Sequence, residues 1–342
     1  SALVQFVFYG GYFFMAIPAG LIMQKVGYKW GIIFGLLVFA SGAFLMLPAT
    51  LIQTFGSFLL CLFVIACGLT CLETAANPYT TVLGPPEYGE RRINFSQSFN
   101  GLGWIAGPLV GGMLIFSGTG NGNKFATIAL PYMLIGSLVL IVAVLFWRVR
   151  FPELKDDPHD AGSDPESAGK LKDLFRYPHF VLAVIAQFLY VAAQTGINSF
   201  FINYVTEEIP ALTNQQAAQI LGFGGMGLFW LGRFTGSTVF MRLMRPNRLL
   251  AFYAAANVIT MILVVAGLGW TSVVALFSTY FFMSVMFPTI FALGIKELGP
   301  LTKKGSSLLV MSIVGGALIP IIMGRIADVS NMALGFIVPL VC

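Results

Sequence analysis

The stretch from Phe55 to Leu83 reads FGSFLLCLFVIACGLTCLETAANPYTTVL and is apolar along nearly its whole length. An α-helix rises about 1.5 Å per residue, so about 20 apolar residues cross the hydrocarbon core of a bilayer. This stretch is long enough to cross, and Glu73 is its single charged residue. It therefore predicts a membrane-spanning helix with one acid at depth.

The rest of the chain has the same character. Hydrophobic residues make up 57% of the 342 residues and charged residues only 10%, whereas soluble domains carry roughly a quarter charged residues. This composition excludes an ordinary soluble domain, a secreted disulfide scaffold and a nucleic-acid-binding protein. The period-two alternation of a transmembrane β-barrel is absent. We therefore expect an all-α integral membrane protein that is embedded in a lipid bilayer.

Ten apolar runs are candidate spans, and an eleventh begins near Met332. The ten are Val4–Met23, Gly31–Pro48, Phe55–Leu83, Ile93–Phe116, Ala126–Trp147, Phe180–Val205, Gln216–Met241, Leu249–Leu268, Val273–Leu298 and Ser306–Ala327. The chain opens and closes inside apolar runs. We therefore expect a fragment that lacks a first helix and most of a last one.

The basic residues predict the orientation. All but three of the 19 Lys and Arg residues fall in alternate connections between the spans, the exceptions being Lys124, Arg233 and Arg325. Lys and Arg concentrate on the cytoplasmic side of membranes, so these connections are predicted to be cytoplasmic. They include the charged segment 148–179, which we interpret as a cytoplasmic linker. It separates an N-terminal half, 1–147, with five spans from a C-terminal half, 180–342, with six.

The two halves also share a sequence pattern. Residues 77–84 and 287–294 both contain an early proline and end in glycine, and Pro78 and Pro288 lie 210 positions apart. Gly20 and Gly236 each precede a basic turn at a similar offset. Such a pattern indicates a duplicated six-helix unit. In transporters built from parallel repeats, the substrate binds near the midplane between the halves.

Few polar residues lie inside the spans of the first half, and they form a candidate site. Glu73 is the one acid deep in a span, and a buried carboxylate in a membrane is costly enough to predict a function. Asn77 follows one turn later, and Pro78 is expected to kink the helix. Gln97 and Asn100 share a face of the next span. Together they offer the donors and acceptors that a polyhydroxylated ligand needs.

In the second half, Gln187, Gln194 and Asn198 share one face of the span 180–205, and Tyr190 borders it. We interpret Gln194, Asn198 and Tyr190 as candidate substrate contacts, although an aromatic ring in a span more often packs against lipid. Arg233 lies about two turns from the cytoplasmic end of its span. It is interpreted as a snorkelling or gate-pairing cation.

Catalytic groups are not recognisable in the sequence. Neither histidine lies in a span, and no catalytic triad, metal-ligand cluster or phosphate-binding loop is present. We therefore expect a protein that is not an enzyme and that uses neither a metal nor an organic cofactor.

Several motifs resemble known transporters. Residues 20–29, Gly-Leu-Ile-Met-Gln-Lys-Val-Gly-Tyr-Lys, resemble the signature between the second and third helices of the major facilitator superfamily, with Gln24 in place of the usual acid before Lys25. Five runs are similar to the fucose:proton symporter family, and the resemblance extends over nearly the whole chain. These runs are Cys71–Pro78, Arg92–Asn100, Ala193–Thr195, Gly232–Gly236 and Phe287–Lys296.

The resemblance implies a major facilitator fold of two six-helix repeats in the bacterial inner membrane. It implies alternating access and the joint transport of a sugar, L-fucose or a related hexose, with a proton. The family's coupling acid on the fourth helix matches Glu73, and its amides on the fifth helix match Gln97 and Asn100. Its other acid lies on the first helix, which we expect this fragment to lack. Gating or structural roles are expected for Gln24, Lys25, Pro78 and Arg233.

Alternatives remain open at this point. Relatives carry glucose, galactose or N-acetylglucosamine, so the sugar is not decided. The protein could be a passive facilitator in which Glu73 only binds substrate, or a membrane sugar sensor that does not transport. We expect a monomer whose partners are the sugar and the lipid bilayer.

Overall fold

The structure, a computed structural model, describes residues 2–116, 124–150 and 170–342, and the side chains at 3–107, 129–150 and 170–342. Every regular element in these ranges is a helix, and short 3₁₀ turns cover Pro86–Tyr88 and Leu171–Arg176. The long helices are α1 (2–26), α2 (28–52), α3 (Phe55–Val82), α4 (Gly89–Phe116), α5 (Lys124–Arg148), α6 (Pro178–Glu208), α7 (214–243), α8 (Pro246–Val265), α9 (Trp270–Ile295), α10 (Gly299–Val329) and α11 (Met332–Val341).

Helices α1 and α2 form a hairpin with a one-residue turn. Within 2–52 Gly27 alone departs from helical geometry, with φ 78° and ψ 175°, a conformation that glycine adopts far more easily than other residues. Met23 packs against Gly31 and Ile32 on the returning helix. The helices are therefore longer than the apolar spans predicted at Val4–Met23 and Gly31–Pro48, because the polar residues between these spans continue both helices beyond the apolar core.

The outer surface of the bundle is suited to lipid. Seven helical stretches of the described chain, with 3–52 counted once, are long and apolar enough to cross a membrane. Phe14, Leu138 and Leu182 are each more than 60% exposed, whereas glycines lie at several of the closest contacts between helices. Gly35 and Gly68, for example, leave no room for a side chain. Close contact through small residues is the usual way in which membrane helices associate.

Two helices of the second half depart from regular α-helical geometry. Helix α7 contains π-helical turns at Ile220–Gly225 and Gly236–Phe240, and such turns are frequent at functional sites. Helix α9 is broken between Met283 and Met286. Pro288 has no N–H to donate to the carbonyl of Ser284 four residues earlier, so that carbonyl is free to accept another donor.

Successive helices alternate in direction. The connections at 83–88, 244–245 and 296–298 therefore lie at one end of the bundle, together with the ends of α5 and α6 at Arg148 and Pro178. This end is called the linker end, and the opposite end is called the far end. Lys29 ties α2 to α5 at the linker end by donating to the carbonyls of Trp147 and Val149 at 3.0 and 2.8 Å. Residues 151–169 of the predicted linker lie outside the described residues, so its course stays a prediction.

Candidate functional site: a polar cavity between the two halves

A cavity of about 540 Å³ lies between the two halves of the bundle, which is within the usual range for small-molecule sites. Both halves contribute polar side chains to its wall. Those of the first half are Gln5, Tyr9, Tyr12, Glu73, Gln97 and Asn100. Those of the second half are Gln194, Thr195, Asn198, Ser199 and Arg233. Apolar and aromatic side chains, including Trp104, Phe229 and Phe287, complete the wall.

Glu73 is the one acid among the residues that line the cavity. Helix α3 carries it, and the hydroxyl of Tyr12 on α1 donates a hydrogen bond to its Oε1 atom at 2.9 Å. Tyr12 is only 5% exposed, so the donor is held in place by packing. Glu73 is therefore fixed against one wall and remains in contact with the cavity.

Three amides form a hydrogen-bonded chain beside this acid. Asn100 donates from Nδ2 to Oε1 of Gln97 at 3.0 Å, and Gln97 donates from Nε2 to Oδ1 of Asn77 at 2.9 Å. Asn100 is exposed to the cavity, whereas Asn77 is buried behind its wall. Each amide is oriented by the one behind it, so the chain presents fixed donors and acceptors to a ligand.

Helix α6 supplies most of the polar atoms of the opposite wall. Asn198 accepts a hydrogen bond on Oδ1 from the buried hydroxyl of Tyr280 at 2.8 Å. Two neighbours bind across to α1: Thr195 lies 3.0 Å from the hydroxyl of Tyr9, and Ser199 accepts from Nε2 of Gln5 at 2.9 Å. Gln194 lines the cavity between these contacts.

Arg233 joins the two halves at the linker-end side of the cavity. Its Nε donates to the carbonyl of Ser284 at 2.6 Å, the carbonyl left free by Pro288, and its NH1 donates across to the carbonyl of Gln97 at 3.1 Å. The guanidinium also lies 4.5 Å from the centre of the Phe229 ring, a cation–π distance. The side chain is 3% exposed, so it is a fixed structural cation.

Below Arg233 the two halves are in direct contact at the linker end. Glu90 and Lys296 form an ion pair at 2.9 Å, in which the carboxylate is 4% exposed. Nδ2 of Asn94 donates to Oγ1 of Thr289 at 3.0 Å. A Cβ atom on Gly20 would come within 2.7 Å of Ser307, so α1 and α10 touch almost backbone to backbone. The cavity is thus shut off from the linker end.

Comparison with known proteins shows to which family the chain belongs. The profile of the Major Facilitator Superfamily matches residues 1–324. The chain belongs to the Major Facilitator Superfamily. It is 41% identical to the L-fucose-proton symporter of Escherichia coli (strain K12), covering all of this chain and 82% of that protein. It is 35% identical to the glucose/galactose transporter of Brucella abortus biovar 1, again over all of this chain and 82% of that protein.

A solved structure of the superfamily has the same fold. The crystal structure of the transporter FucP in the outward conformation matches with a TM-score of 0.90 and 40% sequence identity, covering 99% of this chain and 86% of that one. The predicted all-helical major facilitator fold is confirmed by this match.

The predicted site residues are only partly brought together by the fold. Glu73, Gln97, Asn100, Gln194 and Asn198 line the cavity, and Arg233 forms its base. The remaining predicted residues lie away from it.

Tyr190 and Asn77 lie behind the cavity wall. The Tyr190 hydroxyl donates to the carbonyl of Met283 at 2.9 Å, and its ring packs behind Phe287. Pro78 is buried in α3 next to Asn77. Gln24 and Lys25 lie at the linker end of α1, Lys25 exposed to solvent and Gln24 partly buried. Five of the seven residues predicted to bind substrate can therefore contact a ligand in the cavity directly.

Sequence reasoning missed the contribution of α1. Gln5, Tyr9 and Tyr12 line the cavity at spacings of four and three residues, which places them on one helical face. That polar stripe is visible in the run Val4–Met23 and was a usable signal. It was masked by the abundance of aromatic residues in every span.

Proposed function

We propose that this chain is a proton-coupled sugar symporter that works by alternating access and carries L-fucose or a related hexose. The observation that carries the proposal is the pairing of one acid, Glu73, with the chain of amides in a cavity between the halves. The names of the relatives, a fucose–proton symporter and glucose/galactose transporters, support it.

The amides are proposed to recognise the sugar. Gln97 and Asn100 from one half, with Gln194 and Asn198 from the other, would bind ring hydroxyls, because an amide both donates and accepts. The Trp104 and Phe287 faces would cover the apolar side of the ring. Because the sugar would contact both halves, its binding would favour one relative position of the two halves over another. Alternating access requires such a coupling between binding and the positions of the halves.

Glu73 is proposed to carry the proton. An ionised carboxylate is costly to enclose away from water, whereas a protonated one is not. A cavity that closes around a protonated Glu73 and a bound sugar is therefore favoured over one that closes around the sugar alone. Tyr12 would hold the carboxyl in one orientation throughout the cycle.

The linker end is proposed to face the cytoplasm of a bacterial inner membrane. Of the described basic residues, Arg325 lies towards the far end and most others lie at the linker end, as the positive-inside rule expects of a cytoplasmic face. The contacts of Glu90, Asn94 and Gly20 then shut the cytoplasmic side. The cavity would receive its sugar from outside, and the unit would act as a monomer.

Uptake into right-side-out membrane vesicles tests this function. Labelled L-fucose, glucose, galactose and N-acetylglucosamine are each offered with and without an inward proton gradient. We expect one of them to accumulate only when the gradient is present. Exchange of labelled sugar without accumulation would identify a passive facilitator. Accumulation of a sugar other than L-fucose would identify that sugar as the substrate. Binding of sugar without counterflow would identify a sensor that does not transport.

A further inference from the structure

Gln187 on α6 is a fully buried amide with no hydrogen-bond partner in the described part of the chain. Neither its Nε2 nor its Oε1 has a hydrogen-bond partner among the described residues, and the side chain is 0% exposed. Buried polar groups in proteins are nearly always paired, because an unpaired one destabilises the state that contains it. We therefore expect a second state of the protein in which both polar atoms of the Gln187 side chain have hydrogen-bond partners.

Its position indicates what that state is. Gln187, Val191 and Gln194 are spaced by four and three residues, so they share one face of α6. Val191 and Gln194 line the cavity, and Gln187 lies one turn, about 5 Å, closer to the linker end. One turn further, Ala183 packs tightly against Gly294 of α9. Gln187 is thus enclosed between the cavity and the closed linker end.

The first half has unpaired amide atoms in the same closed layer. Oδ1 of Asn94 and Nδ2 of Asn77 also have no partner among the described residues. Asn77 lies one turn to the linker-end side of Glu73, and Asn94 one turn to the linker-end side of Gln97. Unpaired donors and acceptors of both halves therefore lie, along their helices, between the cavity and the linker end.

We infer that Gln187, with Asn77 and Asn94, forms a second binding site for the hydroxyl groups of the transported sugar, which is completed when the linker end opens. The inference rests on the proposed sugar transport. These groups are neutral: Gln187 offers an unpaired donor and an unpaired acceptor, Asn77 an unpaired donor and Asn94 an unpaired acceptor, a set that suits a neutral polyhydroxylated ligand. The sugar leaves the cavity amides for this site before it is released.

Substitution of Gln187 by methionine tests the site, because methionine has a similar length and shape and cannot form these hydrogen bonds. Gln194→Met in the cavity is the matched control. In membrane vesicles with the full chain, Gln187→Met should bind sugar from the far end within twofold of wild type, and its thermal midpoint should be equal to or above that of wild type. Its rate of sugar exit at the linker end should fall at least fivefold. Gln194→Met should instead weaken far-end binding at least fivefold.

Two results overturn the inference. One is an exit rate for Gln187→Met within twofold of wild type. The other is a thermal midpoint that falls by several degrees, which would mean that the amide is paired in the folded protein. A wild-type protein that carries no sugar would instead overturn the proposed function, and with it the ligand named here.

Labelling of Gln187→Cys, after replacement of the four native cysteines, provides a test that does not depend on transport rates. A small thiol reagent should reach this position from the linker end in inside-out vesicles and not from the far end. Bound sugar should slow the reaction. Reaction from the far end, or from neither end, would show that the position does not line a linker-end pathway and would overturn the inference.

Discussion

At the scale of single residues, the bond between Tyr12 and Glu73 positions the proposed proton carrier. Tyr12→Phe removes the donor and keeps the ring packing. A hydrogen bond of this kind is worth about 0.5–1.5 kcal/mol with a neutral partner and about 1.5–3 kcal/mol with a charged one. We expect proton-driven accumulation to fall several-fold while the amount of folded protein is unchanged, as measured by uptake and by size-exclusion chromatography.

Tyr190→Phe is the matched control for this prediction. The Tyr190 hydroxyl also makes one buried hydrogen bond, to the carbonyl of Met283, but it lies behind the cavity wall. Its loss should reduce stability by about 1 kcal/mol and leave sugar affinity unchanged. Tyr190→Phe should also accumulate sugar as wild type does, so a loss of proton-driven accumulation equal to that of Tyr12→Phe would contradict the assignment of the cavity wall.

The amide chain makes a second prediction, in which two neighbouring residues behave differently. Gln97→Ala and Asn100→Ala should each weaken sugar binding by about 1–3 kcal/mol, roughly fivefold to 150-fold. Only Gln97→Ala should also destabilise the protein, because it leaves the buried Oδ1 of Asn77 without its donor. Calorimetric titration and thermal unfolding measure the two effects. The exposed Asn247→Ala serves as the control.

At the scale of helices, the ion pair between Glu90 and Lys296 holds α4 and α9 together at the linker end. Glu90→Gln should weaken this closure by about 1–3 kcal/mol, less than the loss of a fully buried pair, because the Lys296 side chain is 46% exposed. Because the closed state is weakened, a larger fraction of the protein should be in the state that is open at the linker end. We expect weaker sugar binding from the far end, measured in right-side-out vesicles.

The pair between Asp173 and Arg176 is the control for the linker-end closure. It joins residues three apart, and the Arg176 side chain is 82% exposed. Such pairs contribute little, about 0–1 kcal/mol, so Asp173→Asn should bind sugar as wild type does. A far-end affinity for Glu90→Gln equal to that of Asp173→Asn would show that the ion pair does not hold the closure.

The helices themselves were predictable from hydropathy, because the requirement to cross a bilayer fixes their length. The span predicted at Phe55–Leu83 is the helix Phe55–Val82, and Phe180–Val205 lies within Pro178–Glu208. The rotation of each helix about its axis was predictable where polar residues mark one face, as Gln97 and Asn100 do, and not elsewhere. It depends on packing between helices, and in a chain whose spans are apolar all round, Tyr12 and Tyr190 look alike in sequence although one lines the cavity and the other does not.

The positions where the sequence breaks local rules were the informative ones. Glu73 and Arg233 are unexpected in apolar spans, and both line the cavity. Pro288 interrupts α9 where Arg233 needs a free carbonyl. By contrast, the linker-end contacts of Glu90 and Gly20 could not be inferred, since they join residues from opposite halves of the chain.

At the scale of the whole molecule, the orientation in the membrane is open to direct measurement. With the four native cysteines replaced, Glu87→Cys marks the linker end and Ser330→Cys marks the far end, and both positions are exposed. A membrane-impermeant thiol reagent added to intact cells should label Ser330→Cys and not Glu87→Cys. The reverse pattern would mean that the basic connections face outward.

The central claim is that Glu73 couples a proton to the movement of sugar, and Glu73→Gln tests it most directly. Glutamine imitates the protonated carboxyl and cannot release a proton. One proton supplies about 2.3 kcal/mol per 100 mV of membrane potential, and only if it is carried. The variant should therefore still exchange labelled sugar across the membrane, yet fail to accumulate sugar or to alkalinise the medium when sugar is added. Uphill accumulation by Glu73→Gln, with the wild-type pH signal, would contradict the account.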